Sequence, residues 1–335
     1  MPKLSPKENM IRLYKGEVPE YIPTMMDGGS FMGPMMGPDL GGVFSDWGDA
    51  TEKFDMFGVP YVREWNASNG PIPKPGFFIL DDITKWRDII KRPAILDNID
   101  WQLLADQQLP NWDPETFLGG GAAVGNGYFQ ILASFMGFDM ALIACMEEPD
   151  EVKDLLNFIL ELNLELSKNF IYYYHPETGG GADDIAHERA PFISIEMFED
   201  IFEPLWRASI YPYVEAGCWT SHHNCGMFEP LVPYIVDMGY NAWNPAEWMN
   251  DLVGIKKRFP KLALCGGFND DRIRKPEHTE EEIRAYVREN CDMLAPGGGF
   301  MFGGFMMGPP GDPVVAERTG WINDEFEKIR YSYYD

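Results

Sequence analysis

The stretch 227-MFEPLVPYIVDMGYNAWNPAEWMNDLVGIKKRFPKLALCGGF-268 decides the fold. It holds a helical pattern, "MFEPLVPYIVDMG", a strand, "YNAWNP", a second helix, "DLVGIKKRF", and a second strand, "KLALCGGF". Strands that alternate with helices make βαβ units, and their strands pair in parallel because each helix carries the chain back to the same end of the sheet. The pattern extends both ways. Upstream, "SIEMFEDIFEPLWRASIYPYVEAG" predicts a helix with Ser194 as N-cap and Met197 at N3, ahead of a strand running into "SHHNCG". Downstream, Thr279 and Glu282 form a capping box that opens a helix to Leu294, and "GGFMFGG" is a last strand. The clearest helix spans Glu151 to Tyr172, where Val152, Leu155, Leu156, Ile159, Leu162, Leu166 and Phe170 keep the 3.6-residue period. In "DDITKWRDII", Ile83, Trp86 and Ile90 share one face behind acidic caps. Four late units without a G-x-G-x-x-G fingerprint favour a (β/α)8 TIM-type barrel over a doubly wound sheet. The expectation is one α/β barrel domain over residues 1–335, with an N-terminal helical extension that includes Lys7 to Tyr14.

Composition narrows the function. Lys and Arg number 27 against 53 Asp and Glu, a formal charge of −26, and such a surface repels nucleic acid and anionic lipid. No run of about 18 uncharged apolar residues occurs, so no membrane span is expected. The start, "MPKLSPKENMIRLYKG", lacks an apolar signal segment, which makes a reducing cytoplasm and free thiols the expectation for the five cysteines. Cys145 and Cys291 fall in apolar helical patterns and are expected to be small buried hydrophobes. P-loop, G-x-S-x-G and H-E-x-x-H patterns are absent.

A barrel enzyme builds its site at the carboxyl ends of its strands. Here those ends read Asp183 and Asp184 in "GADD", His222, His223 and Cys225 in "WTSHHNC", Asn244 and Glu247 in "AWNPAE", and Cys265 in "LALC". Thiolate, imidazole and carboxylate are zinc ligand types. His223 and Cys225, two apart, point to one face of an extended turn, Cys265 comes from a neighbouring strand end, and His222 points the other way into the scaffold. These residues are either a metal site or ordinary buried side chains. Two Met-, Gly- and Pro-rich loops, "MMDGGSFMGPMMGPDLGG" with Met26 and Asp27 and "GGFMFGGFMMGPPGDP" with Met306, either pack the core or cover a substrate, cofactor or partner. "GGGAAVGNGYFQ" is expected to turn at the barrel mouth and offer Asn126 as a polar contact.

The blocks "LSPKENMIRLYKGEVPEYIP", "FDMFGVPYV", "ADDIAHERAPFISIEMFEDIFEPLW", "SHHNCGMFEPLVPYIVDMGYNAWN" and "GGFND" resemble, in order, those of the uroporphyrinogen decarboxylase superfamily. The resemblance implies a (β/α)8 barrel with its site at the carboxyl mouth. Decarboxylases of the superfamily grip a polycarboxylate with arginines from a loop near the amino terminus. That loop here, "MMDGGSFMGPMMGP", has no Arg or Lys, so decarboxylation is not expected. The other branch comprises zinc-dependent, corrinoid-linked methyltransferases. Those acting on coenzyme M share H-x-C-G, here His223 to Gly226, but carry a third ligand Cys where this chain has Met306 and Met307. The veratrol-type aryl methyl ether O-demethylase components hold zinc on an acid and C-x39-C, the spacing of Cys225 and Cys265. Their upstream acid is not matched in spacing, so Asp184 and Glu196 are both candidates. The resemblance implies zinc on His223, Cys225 and Cys265, with Asp184 and Glu247 as ligand-orienting or proton-supplying acids. Met26, Asp27, Asn126 and Met306 would hold a methoxylated aromatic, and the methyl group would pass to a cobalamin carried by a corrinoid partner protein. Transfer from a methylated corrinoid to a thiol such as coenzyme M, or a non-catalytic barrel that binds a corrinoid or tetrapyrrole, are the alternatives.

Overall fold

The structure is a computed structural model, and it describes residues 3–28, 30–31, 43, 47–63, 70–120, 127–309 and 311–334. Its centre is a parallel sheet of seven strands that neighbour one another in chain order: β1 (Ser30–Phe31), β2 (Gly119–Gly120), β3 (Thr178–Ala182), β4 (Trp219–His223), β5 (Ala242–Ala246), β6 (Ala263–Gly266) and β7 (Phe300–Phe302). Thr24 makes a parallel bridge to Phe302 on the β7 edge, and Ser30 pairs with Gly119 on the other edge. Six residues of chain reach at most about 20 Å, so both edges lie close together and the sheet is curled. A separate antiparallel sheet of Glu52–Phe54, Pro60–Val62 and Ile72–Pro73 stands outside it.

The deciding stretch folds as its pattern dictates. β4 leads through a short 3-10 turn into a helix at Val232–Asp237, then β5, the helix Leu252–Arg258 capped by Asp251, and β6. The capping box at Thr279 and Glu282 forms and starts the helix Glu280–Leu294. Ser194 caps the next upstream helix, which passes through a π turn at Phe198–Phe202 before continuing as Glu203–Glu215. The long helix runs Pro149–Tyr174, two residues beyond the periodic pattern at each end, with Pro149 at its first turn where a missing N–H costs nothing. "DDITKWRDII" forms a 3-10 turn and one helical turn rather than a full helix, yet Ile83, Trp86 and Ile90 are buried as expected.

Side chains alternate between two cores. Trp243, Leu264, Phe300 and Phe302 face outward into the large core beneath the helices. Ala242, Ala263, Cys265 and Met301 face inward, into the lumen, where Met10 and Leu13 of α1 (Pro6–Tyr14) close the bottom. The N-terminal helix is therefore a plug, fixed by a complete capping box at Ser5 and Glu8. Cys145 and Cys291 are buried helix residues. Among the described residues no single helix is long and apolar enough to cross a membrane.

Candidate metal centre

β4 presents its side chains in strict alternation: Thr220 and His222 are buried outward, while Trp219, Ser221 and His223 face the lumen and keep solvent access. His222 lies against Trp206, Phe228 and Tyr240, and neither of its nitrogens has a hydrogen-bond partner. Burial pushes its pKa down to about 3, so it is a neutral packing residue. His223 ends the strand on the inner side of the curled sheet.

Three potential ligands meet there. Asp184, His223 and Cys225 offer an oxygen, a nitrogen and a sulfur that all lie within 4.8 Å of one another. His223 Nε2 is 3.7 Å from Asp184 Oδ1 and 3.8 Å from Cys225 Sγ. Nitrogen, oxygen and sulfur ligands about 2.0–2.3 Å from a tetrahedral zinc stand roughly 3.3–3.6 Å apart, so both distances are slightly longer than tetrahedral edges and close to them. The far nitrogen, His223 Nδ1, lies 3.1 Å from Asn244 Oδ1 on the next strand. A donated Nδ1–H fixes the tautomer and leaves the Nε2 lone pair free for a metal.

Each ligand is positioned by the chain around it. Asp184 follows β3; its Oδ1 accepts the Cys225 N–H at 2.7 Å and its Oδ2 accepts from Gln130 Nε2 at 2.9 Å. Its neighbour Asp183 is fully buried, accepts from Phe129 N and Trp206 Nε1, and is pushed up to about 7 by burial. Cys225 sits in the turn after β4. Asn224, before it, donates to Asp183 O and accepts from Trp243 Nε1 through its own carbonyl. Gly226, after it, has φ +83°, and a Cβ there would lie 2.7 Å from His187 O, so only glycine fits. Its N–H donates to Glu247 Oε2 at 2.5 Å. Burial raises the Cys225 thiol, helped by the nearby Asp184 and Glu247 carboxylates, and burial also raises Glu247. A bound cation would relieve this crowding of negative groups.

The remaining expected site residues fall elsewhere. Cys265, 2% exposed, is a lumen wall residue and not a member of the three-residue cluster. Burial pushes its thiol up to about 12. Glu196 is exposed at a helix start, so of the two candidate acids only Asp184 joins the cluster. Asp27 spends its carboxylate on Thr24 and on Arg330, with which it forms a largely buried ion pair. Met306 is buried in the outer core, and its N–H donates to Thr319 Oγ1 at 3.3 Å. Asn126 and the Met26 side chain lie outside the described residues. Gln130, which steadies Asp184, carries no sequence signal, being a lone glutamine in an apolar helix. The Asn244 contact to His223 was equally invisible, although its place at a strand end was legible.

Comparison with known proteins agrees with this architecture. The family model "Uroporphyrinogen decarboxylase (URO-D)" matches residues 111–304. A solved structure described as a methyltransferase from Methanosarcina mazei resembles the chain with a TM-score of 0.60 at 13% identity, covering 98% of this chain and 99% of that one. At that identity the likeness speaks for the fold. No curated protein matches the sequence.

Proposed function

Because the chain belongs to the uroporphyrinogen decarboxylase family, we propose that it is a zinc-dependent methyltransferase that demethylates an aryl methyl ether, with the reduced cobalt of a corrinoid partner protein as methyl acceptor. The observation that carries this reading is the Asp184–His223–Cys225 cluster, with spacings close to those of a zinc shell and an oriented histidine. Its donor set suits zinc, and three protein ligands leave a fourth position open, as in catalytic rather than structural sites. We take the segment at Thr24 as the eighth stave of a complete barrel, which puts the cluster at the mouth's centre.

In the overall reaction the methyl carbon–oxygen bond breaks, its electron pair stays on oxygen, and the methyl group leaves on cobalt. When bound, zinc supplies Lewis-acid stabilisation of the negative charge on the departing oxygen, which a bare phenolate lacks at neutral pH. Asp184, His223 and Cys225 hold the ion, Asn244 aims His223, and Gln130 aims Asp184. Glu247, whose Oε2 is fixed on the Gly226 N–H beside the cluster, is the group assigned to deliver a proton to that oxygen. Cys265 is assigned to the pocket wall. Decarboxylation of a polycarboxylate is disfavoured, because residues 25–38 contain no Arg or Lys.

A second reading, methyl transfer from a methylated corrinoid to a thiol, draws on the same His223-x-Cys225 pair. Incubating the zinc-loaded protein with reduced corrinoid protein and a methoxyarene separates the two. Formation of the phenol and of methylated corrinoid, abolished by Cys225→Ala, supports demethylation. Turnover only with a thiol and methylated corrinoid supports the second reading. Neither reaction with any ether or thiol would leave a binding barrel.

A further inference from the structure

One helix beside the cluster shows an apolar stripe to solvent. The helix Tyr128–Met136, whose Gln130 holds Asp184, ends at Gly137, where the chain bends by 109° into the helix Phe138–Glu147. Gly137 has φ +88°, and a Cβ on it would lie 2.8 Å from the Phe78 ring, so glycine is required at this corner. Ala141, Ala144 and Cys145 bury one side of the second helix. Met140, Ile143 and Met146, spaced three apart, line its other side, and each is more than two-fifths exposed. Phe77 and Phe78 stand nearly half exposed beside the corner, where the Ile79 and Leu80 N–H groups both donate to Phe135 O. Five large apolar side chains on adjoining segments exceed the single scattered ones normal for a surface, and such a grouping marks an interaction site. Its border is acidic. Residues 128–152 contain no Lys or Arg, against Asp139, Glu147, Glu148, Asp150 and Glu151, and Asp139 and Glu147 are exposed within the stripe itself.

We propose that this stripe docks the corrinoid partner protein, resting on the demethylase reading above, and that the partner meets it with an apolar patch bordered by lysines and arginines. Charge complementarity selects this occupant. A second copy of the chain would bring the same acids against themselves across a two-fold axis. An anionic bilayer would meet the same repulsion. Position agrees. Phe138, which opens the helix, meets Phe192 edge-on at 5.0 Å between centroids, and Phe192 stacks on His187 at 5.7 Å. The His187 carbonyl accepts the Met227 N–H at 2.8 Å, two residues past Cys225. A partner seated on the stripe therefore stands beside the metal cluster, where a carried cobalt is needed.

Calorimetric titration of the zinc-loaded protein with a cobalamin-loaded corrinoid protein measures docking, and demethylation with free reduced cobalamin measures chemistry without docking. Two double variants change exposed side chains alone and should fold. Ile143→Ser with Met146→Ser removes apolar area, and Asp139→Lys with Glu147→Lys reverses the charge. Each should weaken docking about tenfold or more, with zinc content and turnover on free cobalamin unchanged. Docking within twofold of the parent in either folded variant, or no docking by the parent, would overturn the proposal. So would a dimer in sedimentation that the serine variant dissociates, or binding to phosphatidylglycerol vesicles that the serine variant abolishes. Docking that depends on this stripe, in a protein inactive towards every ether, would refute the demethylase reading and leave the surface standing. Demethylation with the corrinoid protein at the parent's rate constant and KM in both variants would do the reverse.

Discussion

Replacing Asn244 by Ala tests whether the histidine is held ready for a metal. Asn244 is 8% exposed, and its Oδ1 is the partner described for His223 Nδ1, at 3.1 Å. Its backbone carbonyl separately accepts the Asn224 N–H at 3.0 Å, a bond that the substitution leaves in place. The sheet should therefore survive. The lost hydrogen bond is worth about 0.5–1.5 kcal/mol. The freed imidazole can also rotate and carry its proton on Nε2, the nitrogen the metal needs. Loss of such an outer partner typically lowers metal affinity 10–100-fold, which is about 1.4–2.7 kcal/mol. Competition with a chromophoric chelator at neutral pH measures the effect directly. The expected result is a tenfold or greater loss of zinc affinity, a melting temperature of the zinc-free protein lowered by no more than about 5 °C, and recovery in Asn244→Asp, whose carboxylate accepts the same proton. Zinc affinity within twofold of the parent in Asn244→Ala would refute the reasoning.

Three further outcomes follow from the geometry. Gly226→Ala places a Cβ 2.7 Å from His187 O on a backbone at φ +83°; the strain of about 1–3 kcal/mol should move the Cys225 turn and show as weakened zinc binding by the same competition assay. Arg330→Ala strands the Asp27 carboxylate, and breaking such a pair costs about 3–5 kcal/mol, read as a clear drop in melting temperature by calorimetry. His222→Phe removes a buried imidazole whose pKa is pushed down to about 3 from an ordinary 6.5. A depressed basic group binds its proton only in the unfolded chain between those values, so the parent loses stability as pH falls from about 6.5 towards 3. The variant should lose less across that window in denaturant titrations, and identical pH profiles would contradict this.

Much of the frame was legible because its signals are local. The period-2 and period-3.6 patterns of 227–268 place β5, β6 and their helices, and Thr279 with Glu282 marks a helix start to the residue. The strand-end rule also found His223, Cys225 and Asp184 as candidates. It was unable to choose among acids, because the proximity of Asp184 to Cys225 depends on how the turns after β3 and β4 cross, with 40 residues between them. The C-x39-C spacing pointed at Cys265, yet the pleat sets that side chain in the lumen wall, outside the cluster. Asp27 looked available in a loop and is engaged with Arg330, 303 residues away, a pairing that no sequence window contains.

The central claim is a zinc ion on one thiolate, one imidazole and one carboxylate. Zinc X-ray absorption spectroscopy on the protein purified without chelator tests it most directly. The account predicts one zinc per chain with a single sulfur neighbour and otherwise nitrogen and oxygen, the sulfur disappearing in Cys225→Ser and persisting in Cys265→Ala. Less than half an equivalent of zinc, or a shell with two sulfurs that loses one in Cys265→Ala, would contradict it.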